Sequence, residues 1–278
     1  MEDKELTALK KLREKLLLKA SDLFEELKKQ ERNQQKVVIR QWEPCTVQNT
    51  SNIENKVERY EHKLCEITQK ISGIAFKDID RKWIKNNLYQ YTALAVINTL
   101  KFHVELLVKI ERKEEFEICS IKCDYININK CYRLEIDPCI QNIIKMKNFS
   151  LLTSAMVHYT EQNMIRKKII DNLRAKNYIN YELCMDDNGG IIISIHSPEN
   201  VQQTYLKMNW KILFVERIWK HEHYFVIDVS EAGDNFAKEN RMLLEEFCEP
   251  MLTKQNLIDL WKKLCSALDS YEVDNSAE

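Results

Sequence analysis

Residues 53–74 read IENKVERYEHKLCEITQKISGI, and two periodicities meet in this stretch. Ile53, Val57, Tyr60, Leu64, Ile67 and Ile71 recur at spacings of 4, 3, 4, 3 and 4. That alternation sets one apolar side chain per turn on a single helix face, the narrow seam of a coiled coil. Ser51 with Glu54 three residues later forms a capping-box start, and Gly73 supplies the left-handed residue that ends a helix. Past Gly73 the apolar period falls from about 3.5 to about 2, the period of strands. A seam that runs directly into a sheet is expected of a chain that pairs with something, rather than one that builds a catalytic pocket.

Toward the N-terminus, Leu6, Leu9, Arg13, Leu16, Ala20, Leu23 and Leu27 keep the same 3-4 spacing. Leu12, Leu17, Leu18 and Phe24 widen that stripe. It therefore suits either partner helices or the chain's own core. Gln30 and Gln34 end the stripe, and residues 36–51, with Pro44 and many Asn, Gln, Ser and Thr, read as a linker. Within it Val37, Val38, Ile39 and Trp42 are apolar, fit to dock on the folded part or to receive a partner.

Toward the C-terminus, Ile74, Phe76 and Ile79 begin a strand region. Phe102, Val104, Leu106, Val108 and Ile110 alternate with Lys101, His103, Glu105, Leu107 and Lys109, as in a half-buried antiparallel strand. Leu94, Val96 and Leu100 belong to the same strand or its neighbour, and Phe116 to Tyr125 gives another. Asp137-Pro138 is expected to open a short helix and Ser150 a longer one reaching Leu173. Then Tyr178–Met185 and Ile191–His196 flank Asp187-Asn188-Gly189-Gly190 as a hairpin. Residues 206–214 and 224–229 read as strands. Helices over about 236–248 and 254–270 follow, the second capped by Thr253.

The pattern is strand–strand–strand–helix, twice. Strand runs followed by helices predict the α+β class: N-terminal coiled-coil helices, then two antiparallel sheet-plus-helix units. The expected divisions are an arm over 1–72, a first unit over 73–176, a second over 177–271 and an acidic tail over 272–278.

Composition narrows the chemistry. The chain has 278 residues with 42 Lys and Arg against 43 Asp and Glu, so no global basic field argues for direct contact with nucleic acid or a membrane. With four glycines, scattered but for Gly189-Gly190, it lacks the Gly-rich loop that cradles a phosphate. The charged start, Met1-Glu2-Asp3-Lys4, predicts no signal peptide, and no stretch reaches the roughly 20 apolar residues needed to span a bilayer. Nine cysteines are then expected as reduced thiols. Asn148-Phe149-Ser150 matches a glycosylation sequon, which is uninformative without export.

No Cys-x-x-Cys pair marks a zinc site, and Cys119 and Cys123 are too widely spaced for a knuckle. His221 and His223 share a strand face and are expected on its polar side. Nothing local activates any cysteine, and neither a Gly-x-Ser-x-Gly elbow nor a His-Glu-x-x-His helix occurs. Arg166-Lys167-Lys168 reads as solvated helix surface. No catalytic residue, metal, cofactor or small-molecule substrate is expected.

The order of these features resembles the tandem-RWD proteins of the inner kinetochore. The resemblance rests on a coiled-coil helix ending in Ile71-Ser72-Gly73-Ile74 and on the closing helix Asn256-Leu257-Ile258-Asp259-Leu260-Trp261-Lys262-Lys263-Leu264-Cys265. The Tyr-Pro-x-x-x-Pro signature of other RWD domains is absent, and no His-Pro-Asn precedes a cysteine, so ubiquitin-conjugating activity is not implied. The resemblance implies two RWD-like units in a non-enzymatic subunit of the constitutive centromere-associated network, located in the nucleus at the centromere and serving chromosome segregation. Its implied partners are a CENP-O-like tandem-RWD subunit, as a heterodimer, and other inner-kinetochore subunits. The partner-binding residues would be Leu6, Leu9, Leu16, Leu23 and Leu27 of the arm with Ile53, Val57, Tyr60, Leu64, Ile67 and Ile71 of the seam. The alternative is an RWD-type docking module of a ubiquitin or signalling adaptor.

Overall fold

The computed structural model describes residues 66–112, 115–185 and 189–275. The arm with Leu6, Leu9, Leu16, Leu23 and Leu27, the linker, the seam positions Ile53, Val57, Tyr60 and Leu64, and residues 276–278 of the tail lie outside the described residues.

Helix α1, residues 66–72, is the described end of the seam. It stops where the sequence predicts. Gly73 has φ +74°, its N–H donates to the Gln69 carbonyl, and the Ser72 hydroxyl donates back to the Thr68 carbonyl. Glycine, having no Cβ, enters that left-handed conformation at the least cost.

Two four-stranded antiparallel sheets follow, each with its strands in chain order. The first comprises β1 (Ala75–Lys85), β2 (Leu88–Ile97), β3 (Leu100–Arg112) and β4 (Glu115–Ile126). The second comprises β5 (Ile179–Leu183), β6 (Ile191–His196), β7 (Thr204–Val215) and β8 (Lys220–Val229). The fold is therefore α+β. Each sheet has four strands against three in the repeating pattern, although all four strands of the second are expected individually. The stretch around Leu94 and Val96 is a strand of its own, not part of the 101–110 strand. Asn86 and Asn87, at φ +42° and +61°, make the two-residue turn that folds β2 back on β1 with Lys85 facing Leu88. Asn98, at φ +49°, serves the next turn, where Ile97 faces Leu100.

Helices α2 (Lys130–Lys145) and α3 (Phe149–Ala175) come after the first sheet. The first of these starts seven residues earlier than Asp137-Pro138 suggests. Asn129 caps it, its side chain accepting from the Cys131 N–H at 2.9 Å, and Pro138 lies inside. The buried stripe Cys131, Glu135, Ile136, Cys139, Ile140 and Ile143 holds the turns on both sides of the proline, so packing outweighs the missing N–H. Likewise Asn148, rather than Ser150, caps α3 by accepting from the Leu151 N–H.

After β8 come a 3-10 turn (Glu231–Gly233), α4 (Asp234–Glu239), α5 (Arg241–Phe247) and α6 (Lys254–Asn275). The expected single helix over 236–248 is thus two short ones broken at Asn240, whose side-chain amide donates to the Phe236 carbonyl. Thr253 caps α6 as expected, accepting from the Asn256 N–H at 3.2 Å. That helix runs on to Asn275, into the segment expected as a tail.

The 27 residues of α3, about 40 Å of helix, belong to two cores. Its first half contributes Leu152, Ala155, Met156 and Tyr159 to a core with the first sheet and α2. Its second half contributes Ile169, Ile170 and Leu173 to a core with the second sheet and α4–α6. Strand β7 divides in the same way: Trp210 packs in the second core and Ile212 in the first. The two sheets are therefore fixed to each other through α3 and β7, and Tyr132 of α2 also packs against both cores.

Candidate interaction surfaces and the junction between the cores

Of the expected seam residues, Ile67 and Ile71 are described, and both face solvent, at 52% and 81% exposure. Each is held there by a regular helix end, not a loop, because the Gly73 stop fixes the last turn. Nothing in the first sheet covers them.

Further exposed apolar side chains, on the two edge strands of the first sheet, were not legible in the sequence. Ile79, Trp83 and Ile84 on β1 and Phe116 on β4 are exposed and belong to neither core. Arg81 lies over the ring of Tyr89 at 4.3 Å, so this face carries a cation stacked on aromatic surface. The β1 stretch looks ordinary in sequence because Asp78 and Asp80 interrupt its alternation. The register shift between Lys77 and Asp80 explains why strict counting fails there.

Where the two cores meet, the sequence reading needs correction. Arg166 is not solvated helix surface: it is fully buried. Its Nη1 and Nη2 donate to Glu135 Oε1 and Oε2, both at 2.7 Å, a two-pronged ion pair between α3 and α2. Nη1 also donates to the Trp210 carbonyl at 3.1 Å, and Glu135 Oε1 accepts from the Ile212 N–H at 3.1 Å. The Tyr159 hydroxyl donates to Glu135 Oε2 at 2.6 Å. Burial opposes the charge on Arg166, but Glu135 more than offsets it and holds the guanidinium above its ordinary pKa. Burial, and then the Glu135 carboxylate, push the Tyr159 phenol well up. Every strong partner of this node is a residue of α2, α3 or β7, the elements that both cores share. Its chemistry is that of a clamp. The missed signal was spacing: Tyr159 and Arg166 lie two helical turns apart, on the face that also carries Leu152 and Met156.

His221 and His223 are likewise not on a polar face. They are 2% and 6% exposed and pack under α3. The Trp210 indole donates to His223 Nδ1 at 3.0 Å, so the proton of this ring sits on Nε2, which donates to Gln162 Oε1 at 2.9 Å. The His221 ring packs against Tyr159, Phe214 and His158, and neither of its nitrogens finds a partner among the described residues. Burial lowers both histidines to about 3; His158 adds to this at His221, and Arg166 with His158 at His223. They stay neutral at any ordinary pH. No group of three or more metal-ligating side chains in holding geometry occurs among the described residues.

The thiols follow the same logic. Burial pushes Cys123 and Cys139 up to about 12 and Cys265 to about 11, and raises Cys131, whose Sγ donates to the Gly190 carbonyl at 2.9 Å. A protonated thiol is a poor nucleophile, so these four act as packing groups. No helix among the described residues is long and apolar enough to cross a membrane. No family model matches this chain, and no curated protein matches it.

Proposed function

We propose that the chain is a non-enzymatic structural subunit of the inner kinetochore, a CENP-P-like member of the tandem-RWD family. In this reading each sheet with its following helices is an RWD-like unit. The stripe Ile53, Val57, Tyr60, Leu64, Ile67 and Ile71 packs against the helices of a CENP-O-like tandem-RWD subunit. The arm positions Leu6, Leu9, Leu16, Leu23 and Leu27 extend that contact. The pair then supports assembly of further inner-kinetochore subunits at the centromere.

The observation that carries this reading is the exposure of Ile67 and Ile71 at the end of a helix that stops cleanly at Gly73. An apolar stripe left wet on an ordered helix is stabilised by a partner helix, each buried side chain contributing about 1.5–3 kcal/mol. The two antiparallel sheets, with α3 and β7 shared between their cores, suit a stiff platform. Imaging of the fluorescently tagged full chain through the cell cycle tests this directly. Persistent nuclear foci at centromeres are expected, whereas diffuse cytoplasmic signal through interphase favours the adaptor reading and removes the kinetochore one.

A further inference from the structure

A groove of about 510 Å³ runs between the second half of α3 and α6. Its apolar lining comes from both helices: Ile165, Ile169 and Leu173 on one side, Ile258, Trp261 and Cys265 on the other. Ile169, Leu173 and Trp261 are buried beneath it, while Ile165, Ile258 and Cys265 remain partly open. The volume falls within the roughly 300–1,000 Å³ typical of ligand-binding clefts. The indole N–H of Trp261 is buried with no acceptor among the described residues, so the lining also holds an unanswered donor.

The rim is cationic. Lys168 stands on α3, Lys176 just past its end, and Lys254 and Lys262 on α6, all exposed. Lys262 has one long contact, 3.7 Å, with Asp259; the other three have no ion pair with an acid among the described residues. The one acid lining the groove, Asp269, already accepts from the Tyr178 hydroxyl at 2.8 and 2.9 Å. Lys176 is the C-cap residue of α3, but among the described residues no ion pair from any of the four side chains bridges the two helices.

We propose that this groove receives an acidic amphipathic helix of a partner protein. An amphipathic helix lays one apolar stripe into such a trough, and Asp or Glu beside the stripe meets the lysines on both walls. The same lysines repel a basic helix, so charge sets selectivity and entry rate while the apolar lining holds the bound state. The groove shares no residue with the 53–71 stripe, so this inference and the pairing reading fail separately.

Display selection on the full chain tests it. The library is amphipathic helices of roughly five turns with a fixed leucine stripe and flanking positions varied among Glu, Lys and Ser. Glu-flanked helices should be enriched on the native chain. On the variant K168E/K176E/K254E/K262E the selection should reverse to Lys-flanked helices, and the native winners should lose at least tenfold in affinity. An unchanged melting curve shows that these four surface exchanges leave the fold intact. Failure to enrich any helix, or enrichment of the same helices on both proteins, overturns the proposal. Sedimentation with phosphatidylserine vesicles is run alongside. Vesicle binding by the native chain that the variant loses, without helix enrichment, assigns the groove to a lipid surface and equally overturns it.

Discussion

The second sheet is roofed along its length by α3 and α6, and Met208, Trp210 and Phe225 lie at 0%, 0% and 3% exposure. The first sheet has the same four strands in the same order, yet Ile79, Trp83 and Phe116 stand at 57%, 62% and 69%. Its covered part is the end near Ala95, Ile97, Phe102 and Val104, where the first half of α3 and α2 pack. What separates the sheets is the helical cover each receives together with strand length, since β1 and β2 run 11 and 10 residues against 5 and 6 for β5 and β6. Two further helical segments and α6 follow β8, while α2 and α3 divide their surface between both sheets. An α+β unit finishes its own core only if helices close the whole face; the first sheet leaves apolar surface of the kind that marks an interaction site.

The largest expected effect breaks the link between the two regions. Arg166→Met removes one partner of a buried pair and leaves Glu135 charged, which costs about 3–5 kcal/mol. Because α3 and β7 serve both cores, chemical denaturation should show both sheets unfolding together at lower denaturant. A loss below about 1 kcal/mol would mean that the sheets are not clamped through this node. The double change Glu135→Leu with Arg166→Met should not restore stability. It orphans the Ile212 N–H, the Trp210 carbonyl and the Tyr159 hydroxyl.

Core truncations then sharpen the contrast. Trp210→Ala should cost about 3–5 kcal/mol, as for a large side chain packed on all sides. Acid should also act on the second sheet first. His221 and His223 are lowered to about 3 when folded, against about 6.5 unfolded, so their neutral form favours the native state. Their contribution is complete above pH 6.5 and is lost as pH falls toward 3, on the order of a few kcal/mol in all. Tryptophan fluorescence against pH checks this, and His221→Leu should flatten the acid limb. The smallest effect is expected at the open end. Trp83→Ser should change stability by no more than about 0.5 kcal/mol, because its side chain is in neither core.

Much of this architecture is readable from periodicity. The alternation over 102–110 and 206–214, the Gly73 stop and the Thr253 cap all depend on local chemistry and appear as expected. Strand β2 was legible only as one of two alternatives at Leu94 and Val96, because Leu88–Leu94 is half-buried on both faces and lacks alternation. The Asn86-Asn87 pair, a turn signal through its tolerance of positive φ, could have exposed it. The α2 start was hidden by Pro138, whose local penalty is overridden by tertiary packing. Arg166 and His221 carry polar letters, and only the approach of α2, α3 and β8 in space turns them inward. The lysine-rimmed groove had no local signal either, since its walls lie some ninety residues apart in the chain.

Sedimentation of the full chain co-expressed with a CENP-O-like tandem-RWD subunit bears most directly on the pairing. A stable 1:1 complex is expected, lost when Leu64 and Ile67 are both replaced by Asp while the sheets stay folded by circular dichroism. A monodisperse, stable monomer that ignores the partner, or a complex indifferent to L64D/I67D, would contradict it.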